Sequence, residues 1–135
     1  MSDRSFRPPL QNGAAAPVFS LPAVSREGTV GLADYKGRSA LLLGMFRGLY
    51  CPFCRRQLAI FSEAANRIRS LNIEALAVIT TPGERARAYF RHRPASMLIA
   101  SDPEMTTHRA YGVPQPQRTT AQTDWPATLN SADVT

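Results

Sequence analysis

The sequence predicts an α/β fold built on a parallel-type sheet. Three observations carry that prediction. Short apolar runs, one of them rich in β-branched residues, alternate with stretches whose apolar positions recur every three or four residues. Two of the helical stretches open on a proline behind a residue able to cap a helix. The strand, helix, strand, helix, strand, helix order that results places helices on the faces of a parallel sheet. At 135 residues the chain is one domain's worth, long enough to bury a real core.

The elements follow in chain order. Residues 1–15 read as a flexible arm rich in Pro, Gly and Ala. The runs "PVFSLPAV" and "GTVGL" flank "SREG", so 18–21 and 29–32 form a small hairpin. "DYKGRS" is a turn. "ALLLGMF", 40–46, is a continuous apolar run between turn signals, which suits a strand buried on both faces. A helix follows, with Leu58, Phe61, Ala65 and Ile68 on its apolar face and Arg56, Glu63 and Arg67 opposite, ending near "SLN". "IEALAVIT", 73–80, is a second strand. "TPGE" then predicts a capping box, with Thr81 as cap, Pro82 first and Glu84 closing it, on a helix running to about Arg91. Residues 97–102 give a short third strand. Asp102 and Pro103 repeat the start signal for a helix stopping at Gly112.

The body of the domain is therefore 16–112. From 113 to 135 the sequence turns polar and proline-rich without period, and reads as an irregular or disordered tail.

Composition excludes several functions. No apolar run nears the roughly 18 residues that span a membrane. The start carries early arginines but no apolar core of a signal peptide, so the expected compartment is the cytoplasm. The net charge of +6 comes almost wholly from arginine, with Lys36 the single lysine. Those arginines are scattered from Arg4 to Arg118 rather than gathered with aromatics, so nucleic-acid binding is not expected.

The chemistry concentrates in "FRGLYCPFCRRQLAIF", 46–61, which holds both cysteines. Cys51 follows the apolar strand at the mouth of the helix, and Pro52 takes the first helical position, where its missing N–H costs nothing. Cys54 falls one turn on, about 5 Å away by Cα, within disulfide range. Cys51 also meets the free N–H groups and positive end of the helix, which favour thiolate over thiol. Arg55 and Arg56 in the first turns oppose the helix dipole, so their charge makes sense beside a thiolate or an anionic substrate, or else points to water. Arg47 adds to the same field. Tyr50 and Phe53 flank the sulfur as apolar walls or belong to the core.

Other uses of the pair are weaker. A zinc site from Cys51, Cys54, His92 and His108 would need histidines sixteen apart, against the usual gap of three to five. His92 and His108 read as surface residues, and nothing nominates a histidine partner for a cysteine hydrolase. Two inert buried thiols remain as an alternative. In a reducing compartment, strand–CxxC–helix points to redox chemistry.

"APVFSLPAVSREGTVGLADYKGRSALLLGMFRGLYCPFCRRQL" resembles the start of the alkyl hydroperoxide reductase and thiol-specific antioxidant family of redoxins. More narrowly it is similar to peroxiredoxin-like proteins with an "RGxxCPxC" centre. "ITTPGERARAYFRHRP" and "ASDPEMTTHRAYGVPQP" continue the likeness, which covers about 15–117. It implies a thioredoxin-like fold and thiol redox activity. Cys51 would attack and Cys54 resolve, with Arg47, Tyr50, Pro52, Phe53 and Arg55 around the thiolate. Substrates would be peroxides or disulfides and the reductant a thioredoxin or glutathione system, with no metal or organic cofactor.

The sequence departs from the peroxiredoxin pattern at two places. Gly44 and Gly48 stand where that pattern has proline and a threonine or serine, and "CPFC" is close to the glutaredoxin "CPYC". The resemblance also implies a C-terminal strand pair and final helix, which this chain is expected to lack. Pro126 is a candidate for the cis-proline beside the cysteines, and Trp125 a packing anchor. The 40–46 strand would then expose an edge, open to an oligomer contact. The rival function is a non-catalytic thioredoxin-like interaction module, or an inactive domain fragment.

Overall fold

The structure, a computed structural model, describes residues 7–114. Two short strands, β1 (Ser20–Pro22) and β2 (Thr29–Gly31), pair antiparallel in the predicted hairpin. A single tight helical turn, Leu32–Asp34, follows. The main sheet has three parallel strands in the order β3 (Ala40–Met45), β4 (Ile73–Ile79), β5 (Leu98–Ser101). Helix α1 (Pro52–Ile68) joins β3 to β4, α2 (Gly83–His92) joins β4 to β5, and α3 (Thr106–Ala110) follows β5. No helix among the described residues is long and apolar enough to cross a membrane.

β4 is the centre of the molecule, and its alternation shows why. Ala75, Ala77 and Ile79 face one cluster with Leu58 and Ala65 of α1 and Ala86 of α2. Leu76 and Val78 face the other, with Phe19, Val30 and Tyr35. Both faces are covered, so every residue from Ala75 to Ile79 is buried. Leu76→Ala is expected to cost about 2–5 kcal/mol, read as a shift of the urea midpoint without a change in slope.

The expectation of a doubly buried strand at 40–46 is corrected. β3 pairs only with β4 among the described residues, and its residues are half-buried or exposed, Leu42 by 45%. A continuous apolar run does not distinguish a central strand from an edge strand. The open edge foreseen for this segment is present in the described residues. β1 likewise starts two residues later, and ends one later, than the apolar pattern placed it.

Both predicted capping arrangements are also corrected. α2 begins at Gly83 with Pro82 as its cap residue, and no side chain caps it. The Thr81 hydroxyl is turned away, to the loop after β3. α3 begins at Thr106 behind Met105, which holds a left-handed conformation (φ 60°), rather than at Pro103. Asp102 still serves that helix from a distance, because its Oδ2 accepts the His108 N–H at 2.9 Å. Helix α3 gives way at Gly112, whose φ of 72° suits glycine. A Cβ there would also collide with the Pro8 backbone, so the described part of the arm packs on this corner. Tyr111 adds a hydroxyl bond to the Pro17 carbonyl at 2.7 Å. Most of the tail, with Trp125 and Pro126, lies outside the described residues.

Candidate active site

The cysteines sit where three loops meet, at the C-terminal ends of β3, β4 and β5, the usual place for chemistry on a parallel sheet. The loop 46–51 is tied at almost every peptide. Phe46 donates its N–H to Val78 at 2.8 Å, and Arg47 accepts from the Thr80 N–H at 2.9 Å. Leu49 donates to Thr81 Oγ1 at 2.8 Å, and its carbonyl accepts from Arg55 Nη1 at 2.5 Å. Cys51 closes the turn by donating to the Gly48 carbonyl at 3.2 Å. Thr81 is thus a site-building residue that sequence reasoning assigned elsewhere, since a local capping pattern hides a partner 32 residues away. Thr81→Val is expected to strand a buried N–H at a cost of about 1–3 kcal/mol, with faster hydrogen exchange at Leu49.

Cys51 is the cap residue of α1, in extended conformation (φ −98°, ψ 119°), with Pro52 first in the helix. Because Pro52 has no N–H, the first helical donors are Phe53 and Cys54, and both act on the Cys51 sulfur. The Cys54 N–H is the largest influence, and with the Cys54 thiol, the Phe53 N–H and the Arg47 guanidinium it outweighs burial and holds the Cys51 thiol below its ordinary pKa. Burial instead pushes the Cys54 thiol up, with the Cys51 sulfur adding to the rise, against the pull of the Arg47 N–H and guanidinium. Both thiols are free and half-buried.

The surrounding residues divide by role. Arg47 supplies charge to the sulfurs and lies 5.7 Å from the centre of the Tyr50 ring. Arg55 is turned to the Leu49 carbonyl and works as a tie of the loop, while Arg56 is exposed. Tyr50 and Phe53 are neither core nor enclosing walls. They are 68% and 80% exposed, so the thiol opens onto an apolar rim rather than into a cleft. A hollow of about 550 Å³ lies at the far end of the strands, by Tyr35, Arg38, Arg69 and Glu74, away from the cysteines.

The two glycines that break the peroxiredoxin pattern have neighbours that fill their space. A Cβ on Gly44 would lie 2.8 Å from the Phe46 ring and 3.0 Å from the Phe61 ring. One on Gly48 would lie 2.4 Å from the Tyr50 ring and 3.2 Å from Thr80 Oγ1.

His92 is exposed, as expected, but His108 is not a surface residue. It is 1% exposed, with its ring between Asp102 and the Phe46 carbonyl. Helical spacing alone does not show that a short helix turns this position inward. The structure therefore does not bring the two histidines to the cysteines as a ligand set, and no metal-holding group of three or more His, Cys, Asp or Glu occurs among the described residues.

The sequence pattern of the AhpC/TSA family matches residues 12–129. The chain belongs to that family. Its fold is thioredoxin-like, as solved structures bear out. A thiol:disulfide interchange protein DsbE from Chlorobium tepidum is similar with a TM-score of 0.68 and 28% identity, over 78% of this chain and 72% of that one. Peroxidoxin BcpB from Mycobacterium tuberculosis superposes with a TM-score of 0.69 at 17% identity, over 78% and 68%. The reduced 2-Cys peroxiredoxin of Plasmodium vivax gives 0.70 at 20% identity, over 79% and 61%. No curated protein matches the sequence significantly. Family and neighbours together support a redox function in general for this AhpC/TSA protein.

Proposed function

We propose that this protein is a thiol-based oxidoreductase that cycles Cys51 and Cys54 between dithiol and disulfide. The observation that carries the reading is the unequal pair on one helical turn. Cys51 at the helix mouth is held toward thiolate, and Cys54 one turn in is held toward thiol. An attacking group needs its charge before the reaction, and a resolving group only after it.

The Cys51 thiolate attacks one sulfur of a disulfide, and the other sulfur leaves with the bonding pair as a thiolate. With a hydroperoxide it attacks the terminal oxygen instead, giving a sulfenic acid and an alkoxide or hydroxide that takes a proton. Cys54 then gives up its proton and attacks the Cys51 sulfur. The S–S bond forms, and the bound thiol or hydroxide departs. A dithiol protein of thioredoxin type, or glutathione, returns two electrons. In a cytoplasmic setting that reductant keeps the resting pair reduced.

Between the two substrates, the surface favours disulfides. Exposed Tyr50 and Phe53 flank the thiol as a contact for another protein, and Gly48 presents no hydroxyl to a peroxide. The name of the 28%-identical structure accords with that chemistry.

The test is thiol labelling. Iodoacetamide at stepped pH, read by peptide mass, should alkylate Cys51 below the ordinary thiol range of about 8.5 and Cys54 only above it. The sign follows from the shifts: a lowered pKa keeps the nucleophile present as pH falls. Labelling of Cys54 first would overturn the assignment. A second reading, a non-catalytic module engaging a partner along β3, is favoured by the open strand edge and exposed Leu42. It predicts binding that is indifferent to serine at both cysteines.

A further inference from the structure

The buried pair His108 and Asp102 is unused by the chemistry above, and its geometry is constrained. His108 Nε2 lies 2.8 Å from the Phe46 carbonyl oxygen, and Nδ1 lies 2.8 Å from Asp102 Oδ2. A carbonyl only accepts, so Nε2 must carry a hydrogen and donate it. The same Asp102 oxygen also accepts the His108 backbone N–H. A second proton therefore lies between Nδ1 and Oδ2, and the pair is neutral as a unit. Burial works against an ionised Asp102, yet bonds from the His108 ring and from the His108 and Thr107 N–H groups prevail and keep its carboxyl below the usual range.

The Phe46 carbonyl shares one peptide unit with the Arg47 N–H, and that peptide is trans. The two groups therefore point to opposite sides of the chain. On one side of this peptide lies the His108 ring; on the other, the Arg47 N–H is one of the groups that pull the Cys54 thiol down against its burial. A hydrogen bond to a carbonyl polarises its peptide and strengthens the bond its N–H gives.

We propose that His108, oriented by Asp102, is a positioning residue that acts through the 46–47 peptide to stabilise the Cys54 thiolate during disulfide closure. The relay serves Cys54, the thiol whose charge burial opposes, rather than Cys51. At the moment of closure Cys54 must hold a negative charge in partial burial. The other titratable or charged groups acting on it are Cys51 and Arg47. In the resolving step Cys54 uses its electron pair to form the S–S bond, and the substituent on Cys51 leaves with its own.

The inference rests on Cys54 being the resolving thiol, and its test separates the two questions. In a Cys51→Ser chain, the pH profile of Cys54 alkylation by iodoacetamide reports the Cys54 thiolate alone. His108→Leu in that background should move the midpoint alkaline by a few tenths of a unit, roughly the 10–30% strengthening that the His108 bond lends to the remaining Arg47 N–H interaction. His108→Gln, whose amide can still donate to the Phe46 carbonyl, should move it less. In a Cys54→Ser chain, His108→Leu should leave the Cys51 profile where it was. An unmoved Cys54 midpoint, or equal movement of both cysteines, overturns the proposal, since a merely structural role loosens both or neither.

If the leucine variant does not fold, the unsubstituted chain decides. Nitrogen-15 spectra of the His108 ring should show Nε2 protonated, with a step in its shift at the Cys54 midpoint that vanishes in Cys54→Ser. An Nε2 without a proton, or without that step, overturns the relay. Absence of substrate turnover in the unsubstituted chain would instead fail the redox reading and leave these titrations standing.

Discussion

Cys51→Ser is expected to reduce turnover to background, a loss on the order of 10⁴-fold, because a hydroxyl at this site is not ionised near neutral pH. Cys54→Ser is expected to behave differently. Its Cys51 still attacks, but the intermediate has no thiol to close on. With a disulfide substrate it should accumulate as a mixed disulfide, and with a peroxide as sulfenic acid, both visible by intact mass. The contrast identifies the order of events better than either rate alone. A Cys54→Ser chain that traps nothing, together with a Cys51→Ser chain of full biological effect, would sink the catalytic reading and leave the binding module.

Asp102→Ala should be the most destabilising change near the site, at about 3–5 kcal/mol. The carboxylate serves three donors at once: the His108 ring, the His108 N–H and the Thr107 N–H. Removing it strands all three in a pocket where Asp102 is 2% exposed and His108 1%. The pH dependence has a defined sign. The Asp102 carboxyl is depressed in the folded chain, so its contribution is present above the unfolded carboxylate value of about 3.9. It is lost as pH falls through the lower folded value. Urea midpoints of the parent chain should therefore decline below about pH 4 more steeply than those of the alanine variant. Equal acid slopes would show that this carboxyl is not ionised in the fold.

These two predictions draw on different levels of structure. The placement of the cysteine pair was legible in the chain itself. Cys51, Pro52 and Cys54 occupy consecutive roles at one helix start, and local spacing fixes their relation because a helix repeats every 3.6 residues. The helical face of Leu58, Phe61, Ala65 and Ile68 was legible for the same reason, as was the strand Ile73–Ile79. The family likeness added the thioredoxin-like fold, and the expectation that Cys51 attacks and Cys54 resolves.

What failed was anything settled between distant segments. "TPGE" and "SDPE" are sound local start signals, yet Thr81 and Asp102 spend their side chains on a loop and a helix elsewhere. The apolar run at 40–46 looked central, but strand order places it at the edge of the described sheet. Arg55 looked like a charge for the thiolate and became a strut for Leu49, while Arg47, outside the helix, took the electrostatic part.

By itself, then, the sequence determined the α/β alternation, the thiol pair and its helix-mouth setting, since each depends on contacts within a turn or a strand. Only the tertiary structure decided which loops pin that pair, which arginine reaches it, and that a histidine 62 residues from the Phe46 carbonyl holds the peptide behind it. Those are choices of hydrogen-bond partner. A polar side chain takes the best donor or acceptor that the packed sheet brings within reach, and no local pattern encodes where that will be.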